Sequence, residues 1–228
     1  MDERLKLLLG SKLDALTSKT ILIIGLGGVG SYALEVIART YFKKIIIVDN
    51  DVIDISNLNR QLMALDNNIG KYKTNIWLNR IRHINKDCEV IKITKFINKD
   101  NLDILFEHQV DYVIDACDTM PTKEAIIRYC LKNKIKFISS MGMANRIDAS
   151  KVKFSYLMQT KNDPLAKKMR NLLKDVNHKI PVIYSEEIPI KNKQLGTIAP
   201  VPAIAGILCA NYVINDILKE VEHAKKNN

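Results

Sequence analysis

The chain has 228 residues, 47% of them hydrophobic, and a formal net charge of +10 at pH 7. This length is enough for one α/β domain with a full core. No internal repeat, low-complexity tract or linker rich in proline and glycine interrupts it. The composition therefore excludes a repeat or low-complexity protein and favours a single domain over residues 1–228.

The sequence gives little indication of a segment that directs the chain to a membrane or out of the cell. The N-terminus is charged and amphipathic and lacks the pattern of a signal peptide, and four cysteines fit a reducing cytoplasm. Ile198–Ile214 is apolar, but it contains Pro200, Pro202 and Asn211. We interpret it as a turn that leads into a buried C-terminal helix, and we expect a cytoplasmic protein without stable membrane insertion.

Strand and helix patterns alternate from Thr20 to Ser140. Such alternation predicts a Rossmann-like α/β fold with a doubly wound, mostly parallel sheet. After Gly142 the strands become shorter and flank a basic helix, which predicts a small C-terminal extension of the same domain. The predicted strands cover residues 20–25, 44–49, 89–93, 111–115, 135–140, 152–157 and 182–185.

A glycine-rich turn follows the first predicted strand and leads into a helix. Glycine lets the backbone turn sharply and lets a phosphate approach the main chain, while the helix N-terminus directs its free N–H groups at the anion. By itself, the turn fits an ordinary NAD-binding unit equally well. Its glycines are Gly25, Gly27, Gly28 and Gly30.

Two carboxylates end the second predicted strand. Asp49 stands where an acid accepts hydrogen bonds from ribose hydroxyls in nucleotide-binding sheets. Asp51 adds a carboxylate suited to a divalent cation that is bound through phosphates. Two further acids, Asp115 and Asp118, end the fourth predicted strand, in the crevice where such sheets bind ligands. Asp118 contacts the ligand, caps the next helix, or does both. For Asp115, the alternative to a contact with the ligand is a purely structural role.

Polar and cationic side chains are dense after the second strand. Asn57, Arg60 and Gln61 lie within five residues, and Lys73 opens the next predicted helix. A hydride-transfer cofactor does not need so many phosphate-binding groups. A triphosphate that loses pyrophosphate does, because charge develops on the leaving phosphates. The pattern therefore favours a triphosphate over a dinucleotide.

These motifs resemble, in order and spacing, those of the adenylating superfamily of ubiquitin-activating-type enzymes. The resemblance implies that a carboxylate is adenylated by Mg·ATP, with Asp49 on the ribose and Asn57, Arg60 and Lys73 on the phosphates. It further implies that Asp118 holds the metal or the reacting carboxylate, and that Asp51 and Asp118 are the candidate Mg²⁺ ligands. The motifs are Gly25–Gly30, Asp49-x-Asp51, Asn57-x-x-Arg60-Gln61, Lys73 and Asp118.

The resemblance also implies a homodimer. Arg4 resembles the arginine that reaches the γ-phosphate held by the neighbouring subunit. Within the superfamily, the chain is most similar to the tRNA threonylcarbamoyladenosine dehydratases, which cyclise the modified adenosine beside the anticodon. This similarity leaves open whether sulfur-transfer accessory proteins take part. It is carried by Val36–Thr40, Tyr112–Ala116, Asn162–Arg170 and Tyr184–Glu187.

The cysteines bear on the main alternative, an adenylyltransferase that activates the C-terminus of a ubiquitin-like sulfur-carrier protein. No two cysteines form a Cys-x-x-Cys pair, so the four-thiolate zinc site of many such activators is not expected. No cysteine lies between residues 130 and 209, where thioester-forming relatives keep theirs. The cysteines are Cys88, Cys117, Cys130 and Cys209, and we interpret Cys117 as a packing residue.

Residues 151–180 hold eight Lys and Arg against two Asp. Asp163-Pro164 predicts the start of a helix there, as N-cap and first-turn proline. Its cationic face is either a solvated surface or an electrostatic platform for an RNA backbone. The predicted apolar stripe is Leu165, Met169, Leu172 and Leu173, and the predicted tRNA-binding cations are Lys167, Lys168, Arg170 and Lys174.

The leading hypothesis is therefore an ATP-dependent enzyme that modifies tRNA, with the sulfur-carrier adenylyltransferase as its alternative. A third hypothesis is a nucleotide-binding module without chemistry, which the set of Arg60, Lys73 and Asp118 disfavours. Candidates for a general base are Glu186, Glu187 and His178, and each also fits a surface role. We expect an N-terminal helix over 1–19, a nucleotide-binding core over 20–140 and a substrate-facing, dimerising extension over 141–228.

Overall fold

Short apolar runs form the central strands of one sheet and are buried on both faces, while the two edge strands are partly exposed. A computed structural model of the protein describes residues 3–226. In these residues one sheet of seven strands has the order β3-β2-β1-β4-β5-β7-β6, and only the pair β6–β7 is antiparallel. The strands are β1 (Thr20–Ile24), β2 (Lys44–Val48), β3 (Glu89–Ile93), β4 (Tyr112–Asp115), β5 (Lys136–Ser140), β6 (Val152–Tyr156) and β7 (Pro181–Ser185).

The described residues also form α-helices that connect and cover these strands. The expected fold class, a Rossmann-like doubly wound sheet with a C-terminal extension, is confirmed, and the strand positions agree with the predicted ones to within one or two residues. The helices are α1 (Glu3–Leu9), α2 (Leu13–Thr17), α3 (Gly28–Arg39), α4 (Lys73–Ile84), α5 (Met120–Lys132), α6 (Pro164–Leu172) and α7 (Pro200–Lys226).

The core has two layers because successive residues of a strand point to opposite faces of the sheet. On β1, Ile21 and Ile23 belong to a layer shared with α3, α4 and α7. Leu22 and Ile24 belong to the other layer, which is shared with α5 and α6. The strand order changes direction between β1 and β4, so the crevice for a ligand opens at the carboxyl ends of these two strands.

The extension after β5 continues the same sheet. β7 pairs in parallel with β5, and β6 then pairs with the outer side of β7. Phe154 of β6 stacks on Tyr212 of α7, with ring centroids 4.9 Å apart. The carboxyl end of β7 therefore lies at the same edge of the sheet as the carboxyl ends of β1 and β4.

Helix α7 packs closely along α3. A Cβ atom at Gly206 would lie 2.1 Å from the carbonyl oxygen of Val29 and 2.9 Å from the backbone nitrogen of Ala33, so only glycine fits. Part of α7, Pro200–His223, is long and apolar enough to cross a membrane by length and composition. Its close contact with α3 and its buried residues, such as Val213, show that this apolar character serves the core.

We expect Gly206→Ala to lower the free energy of unfolding by about 1–3 kcal/mol, because the added methyl group overpacks the contact between the helices. Alanine at an open helix position would instead stabilise the protein by about 1 kcal/mol over glycine. Urea denaturation followed by circular dichroism measures the difference. Lys219→Ala, on the exposed side of the same helix, is the control and should change stability by less than about 0.5 kcal/mol. Equal stability of Gly206→Ala and the wild type would contradict the packing.

Candidate active site

The turn after β1 is packed backbone against backbone. Gly25 has a φ of +86°, and a Cβ atom there would lie 2.7 Å from the carbonyl oxygen of Ala116, in the segment that leaves β4. A Cβ atom at Gly30 would lie 1.7 Å from the carbonyl oxygen of Gly25. Both positions require glycine, because any side chain would push the turn away from β4 or from α3. The turn is thus held at the crevice where the strand order changes direction.

The predicted phosphate-binding segment lies beside this turn. Helix α3 begins at Gly28, with Gly27 as its N-cap residue, so its first N–H groups face the crevice. A Cβ atom at Gly28 would lie 3.5 Å from Cγ of Arg60, and one at Gly27 would lie 3.8 Å from Nε2 of Gln61. The structure therefore brings Arg60 and Gln61 to the glycine turn, as the sequence suggested.

Asp49 fastens the turn to the end of β2. Its Oδ2 accepts a hydrogen bond of 2.6 Å from the backbone N–H of Leu26, and its Oδ1 accepts one of 2.8 Å from that of Asp51. Burial raises the pKa of Asp49, and the opposing effects of Lys73 and of the backbone donors offset only part of this rise. Besides offering a carboxylate edge to a ligand, Asp49 therefore has a structural role that the sequence pattern did not indicate.

Lys73 is the first residue of α4, and its buried side chain reaches back to the end of β2. Its Nζ lies 2.7 Å from Oδ2 of Asp51 and 3.9 Å from Oδ1 of Asp49. A backbone hydrogen bond from Lys73 to the carbonyl of Asp51 holds the two segments together. The cluster thus presents one ammonium group between two carboxylates, where a polyphosphate could exchange with Asp51 as its partner.

A short 3₁₀ turn orients Asn57 and Arg60. Asn57 and Asp54 cap this turn reciprocally, each side chain accepting a backbone N–H of the other segment, and Asn57 is largely buried. Nη1 of Arg60 donates to the carbonyl of Ser56 at 2.7 Å and to Oδ1 of Asn59 at 2.9 Å. Both of these hydrogen bonds use Nη1, while a guanidinium group has further N–H donors that can bind phosphate oxygens.

Asp115 belongs to a buried ion pair. Nζ of Lys123 lies 2.8 Å from its Oδ2, and the Ser139 hydroxyl donates to the same oxygen at 2.6 Å. The other oxygen, Oδ1, accepts from the backbone N–H of Cys117 at 3.2 Å. Burial opposes the charge on Lys123, but the attraction of Asp115 outweighs it and leaves the pKa of Lys123 raised. The pair therefore fixes the segment that follows β4 against the glycine turn.

Asp118 is exposed at the crevice, next to that fixed segment. Of the alternatives for Asp118, capping of α5 is not observed: Thr119 is the N-cap residue, and the helix begins at Met120 with proline in its first turn. Asp118 therefore precedes the N-cap position by one residue. Its carboxylate accepts a long hydrogen bond of 3.4 Å from the Thr119 hydroxyl.

The carboxylates at the crevice suit a cation bound mainly through phosphates. Among residues 3–226, no three or more His, Cys, Asp or Glu side chains form a cluster that could hold a metal ion alone. Asp51 and Asp118 are carboxylates at the ends of β2 and β4, and oxygen ligands of this kind are those that Mg²⁺ prefers. They fit a Mg²⁺ ion that takes its remaining ligands from phosphate and water.

The cysteine thiols are not activated for nucleophilic chemistry. Burial raises the pKa of Cys88 and of Cys130 to about 12, and it also raises the pKa of Cys209. Cys117 is partly buried beside Asp115, and burial raises its thiol pKa as well. A thiol of raised pKa is a poor nucleophile at neutral pH.

Helix α6 carries the predicted basic face, with two corrections. Asp163 caps it, since its Oδ1 accepts from the N–H of Ala166 at 2.9 Å. Leu172 was predicted in the apolar stripe but is 39% exposed, and Ala166 takes the buried position. Arg170 was predicted to face solvent, but it is partly buried and donates to the carbonyl and the hydroxyl of Thr160. The exposed cations of the predicted set are Lys167, Lys168 and Lys174.

The remaining predicted residues belong to other elements of the fold. Arg4 is exposed on α1, which packs on α2. Glu186 is paired with Lys153, and the Glu187 carboxylate accepts the backbone N–H groups of Ile147 and Asp148, so both have structural partners. His178 is exposed in the loop before β7.

Two buried cations were missed in the sequence. One is Lys123, the partner of Asp115. The other is Arg146, which donates to the carbonyls of Gly142 and Ala144 at 2.7 and 3.2 Å. Arg146 also faces Asp163 at 3.6 Å. Neither stands out in the sequence, because charged residues usually lie on the surface and nothing local marks the few that do not.

Comparison with known proteins agrees with this geometry. The sequence profile of the ThiF family matches residues 3–228. The tRNA threonylcarbamoyladenosine dehydratase of Bacillus subtilis (strain 168) is 37% identical over 231 residues, which cover 92% of this chain and 91% of that protein. The chain belongs to the ThiF family. Within the family it is grouped with the tRNA threonylcarbamoyladenosine dehydratases.

Two further relatives carry the same name. The tRNA threonylcarbamoyladenosine dehydratase of Escherichia coli (strain K12) is 36% identical over 81% of this chain and 72% of its own length. The crystal structure of the E. coli tRNA N6-threonylcarbamoyladenosine dehydratase in complex with ATP superposes with a TM-score of 0.92 at 31% identity. That match covers 97% of this chain and 95% of the other. Likeness to this group of ThiF-family proteins therefore extends over the whole fold.

We expect Lys123→Met to lower the free energy of unfolding by about 3–5 kcal/mol, because it leaves the Asp115 carboxylate buried and unpaired. The double variant Lys123→Met/Asp115→Asn removes both charges and should recover at least about half of this loss. Urea denaturation of the wild type, the single and the double variant measures both effects. A double variant no more stable than the single one would show that the ion pair is not the source of the loss.

Proposed function

We propose that the protein is an ATP-dependent tRNA threonylcarbamoyladenosine dehydratase. It adenylates the carboxylate of the threonylcarbamoyl group on the modified adenosine and then closes that group into a ring, with net loss of water. The observation that carries this proposal is the position of Arg60 and Gln61 at the glycine turn, together with a likeness to such enzymes over nine tenths of the chain. A nucleotide, a cation cluster and an anionic substrate can meet at this one crevice.

In the first step ATP lies along the glycine turn. Its phosphates accept hydrogen bonds from the first N–H groups of α3 and from Asn57, Arg60 and Lys73, and its ribose hydroxyls donate to Asp49. A substrate carboxylate oxygen bonds to the α-phosphorus as the bond to pyrophosphate breaks. Lys73 and Arg60 stabilise the charge that develops on pyrophosphate. Bound through ATP, with Asp51 and Asp118 as carboxylate ligands, Mg²⁺ would supply further neutralisation of the phosphate charge.

In the second step a nitrogen of the same substituent bonds to the activated carbonyl carbon. The carbon–oxygen bond to AMP breaks, so one carboxylate oxygen leaves within AMP, and the nitrogen loses its proton. Both reacting groups belong to one substituent, so the enzyme has to position them and needs no nucleophile of its own. This agrees with the raised thiol pKa of Cys88 and Cys130.

The same proposal extends to the partners of the enzyme. Arg4 of each subunit would reach the γ-phosphate bound by the other subunit of a homodimer. Lys167 and Lys168 of α6, together with Lys174 just beyond the end of that helix, would bind the tRNA backbone. The cytoplasm is where tRNA and ATP are both available. The sulfur-carrier adenylyltransferase is disfavoured by the absence of a Cys-x-x-Cys pair from the sequence. A role for sulfur-transfer accessory proteins is compatible with the proposal and not required by it.

The decisive experiment incubates the protein with Mg·ATP and bulk tRNA that carries threonylcarbamoyladenosine, then digests the tRNA and determines the nucleoside masses. ATP-dependent loss of one water from this nucleoside is the expected result. No loss, together with ATP–pyrophosphate exchange only when a small protein ending in Gly-Gly is added, would replace the proposal by its alternative.

We expect Arg60→Ala to lower the turnover of this reaction by at least about 100-fold, because it removes a donor to the departing phosphates. The fold should remain intact, since the Arg60 guanidinium group bonds to Ser56 and Asn59 of its own segment. Arg82→Ala, on the exposed face of α4, is the matched control and should turn over normally. A folded Arg60→Ala protein with normal turnover would contradict the assigned role.

For the basic helix, we expect Lys167→Glu/Lys168→Glu to weaken tRNA binding about tenfold and to flatten its salt dependence, while ATP binding is unchanged. Arg170 is left out of this test because its bonds to Thr160 give it a structural role. The control is Lys86→Glu/Lys132→Glu, which changes the net charge equally at the opposite edge of the sheet, where the strands begin. Equal weakening by both pairs would mean that α6 has no special part in binding.

A further inference from the structure

A second basic element stands at the same edge of the sheet as the glycine turn. The basic loop, residues 188–199, follows Glu186 and Glu187 in the connection from the carboxyl end of β7 to α7. It contains Lys191 and Lys193, both exposed, and no acidic residue. It also exposes aliphatic side chains, of which Leu195 is 83% and Ile188 72% exposed. A loop that combines unpaired cations with exposed aliphatic groups marks an interaction surface.

Asn145 holds the basic loop in a defined shape. Its backbone N–H donates to the carbonyl of Gly196 at 2.7 Å, and its Oδ1 accepts from the N–H of Gly196 at 2.6 Å. Its carbonyl oxygen accepts from the N–H of Ile190 at 2.8 Å. Both ends of the segment 191–195 are therefore fixed at one residue, so the two lysines and Leu195 project together as a tip.

The far end of the basic loop is joined to the candidate ATP-binding segment. Nδ2 of Asn59 donates to the carbonyl of Thr197 at 2.8 Å. Asn59 is next to Arg60 in the chain and also accepts from its guanidinium group. A few residues further on, Pro202 lies 3.2 Å from where a Cβ atom of Gly28 would be. The loop tip therefore stands close to the crevice in which the nucleotide is proposed to lie.

The near end of the basic loop shares an anchor with the basic helix α6. The guanidinium group of Arg146 donates to the carbonyls of Glu187 and Asn162, at 3.3 and 3.2 Å. Glu187 is the last residue before the loop, and Asn162 precedes Asp163, the N-cap of α6. Nδ2 of Asn162 donates to the carbonyl of Glu186 at 2.9 Å. The loop and the helix are thus held in a fixed relation to each other by one buried cation.

We propose that the basic loop is a second RNA-binding element, which contacts the substrate RNA next to the reacting nucleoside. Lys191 and Lys193 bind phosphates, and Leu195 packs against an unstacked base. The charge of the loop complements a polyanion, and its aliphatic tip complements a base face, a combination typical of single-stranded RNA loops as ligands. This inference rests on the proposed function for the identity of the RNA. It adds a contact beside the active site to the backbone contacts of α6.

Binding of bulk tRNA tests the proposal on the full-length protein. The dissociation constant is measured by fluorescence anisotropy over a range of salt concentrations, with ATP affinity measured in parallel. Lys191→Glu/Lys193→Glu should raise the dissociation constant for tRNA about tenfold and lower the slope of its salt dependence by about 1–2. Leu195→Ser should weaken tRNA binding about threefold without changing that slope, because no charge is lost. Both variants should bind ATP like the wild type.

The control Lys86→Glu/Lys132→Glu carries the same change in net charge at the opposite edge of the sheet and should change tRNA affinity less than about twofold. Unchanged tRNA affinity of Lys191→Glu/Lys193→Glu, or an equal loss in the control, would overturn the proposal. In the first case the loop would bind another partner, such as an acidic protein. Dehydration by the wild type is scored separately. A wild type that binds tRNA through the loop without dehydrating it would refute the proposed function alone.

Discussion

The N-terminus of α3 is enclosed by main chain on three sides, and the rest of the site is built around that steric constraint. The carbonyl of Gly25 touches the position where Gly30 would carry a side chain, Ala116 approaches Gly25, and Val29 approaches Gly206 of α7. Backbone groups can come this close only where Cβ atoms are missing. As a result, four elements meet at the N-terminus of α3: β1, β4, α3 itself and α7. Their close backbone packing forms a rigid frame, which fixes the direction of the first N–H groups of α3.

Buried charges hold the segments that surround this frame. Asp49 ties the end of β2 to the turn, Lys73 ties the start of α4 to the end of β2, and the pair of Asp115 and Lys123 ties the segment after β4. Each of these groups loses hydration on folding, and a partner within hydrogen-bonding distance offsets part of that cost. The site is thus assembled from separate stretches of sequence, each with its own electrostatic attachment.

The sequence predicted the sheet and the phosphate-binding segments well, because both depend on local patterns. Buried parallel strands are continuous apolar runs, and the glycines and Asp49 have a fixed place at strand ends. The sequence left open whether Asp118 caps α5, since a carboxylate before a proline-containing first turn has the same local pattern whether or not it caps the helix. The contacts of Arg146, Lys123 and Arg170 were not foreseen, because their partners are distant in sequence or lie across a turn that only the folded chain defines.

The order of strands in the sheet differs from their order in the chain at the far edge. β6 (residues 152–156) is made before β7 (residues 181–185), yet β7 is the strand that β6 pairs with in the sheet. During synthesis on the ribosome, β6 therefore emerges as an apolar and aromatic strand without a neighbour until some thirty further residues have followed. Its stacking of Phe154 on Tyr212 waits longer still, for the middle of α7. A chain that stops before β7 contains β1 to β5 but lacks α7, and it exposes β6 as an unpaired strand, which is the kind of edge that recruits other chains into aggregates.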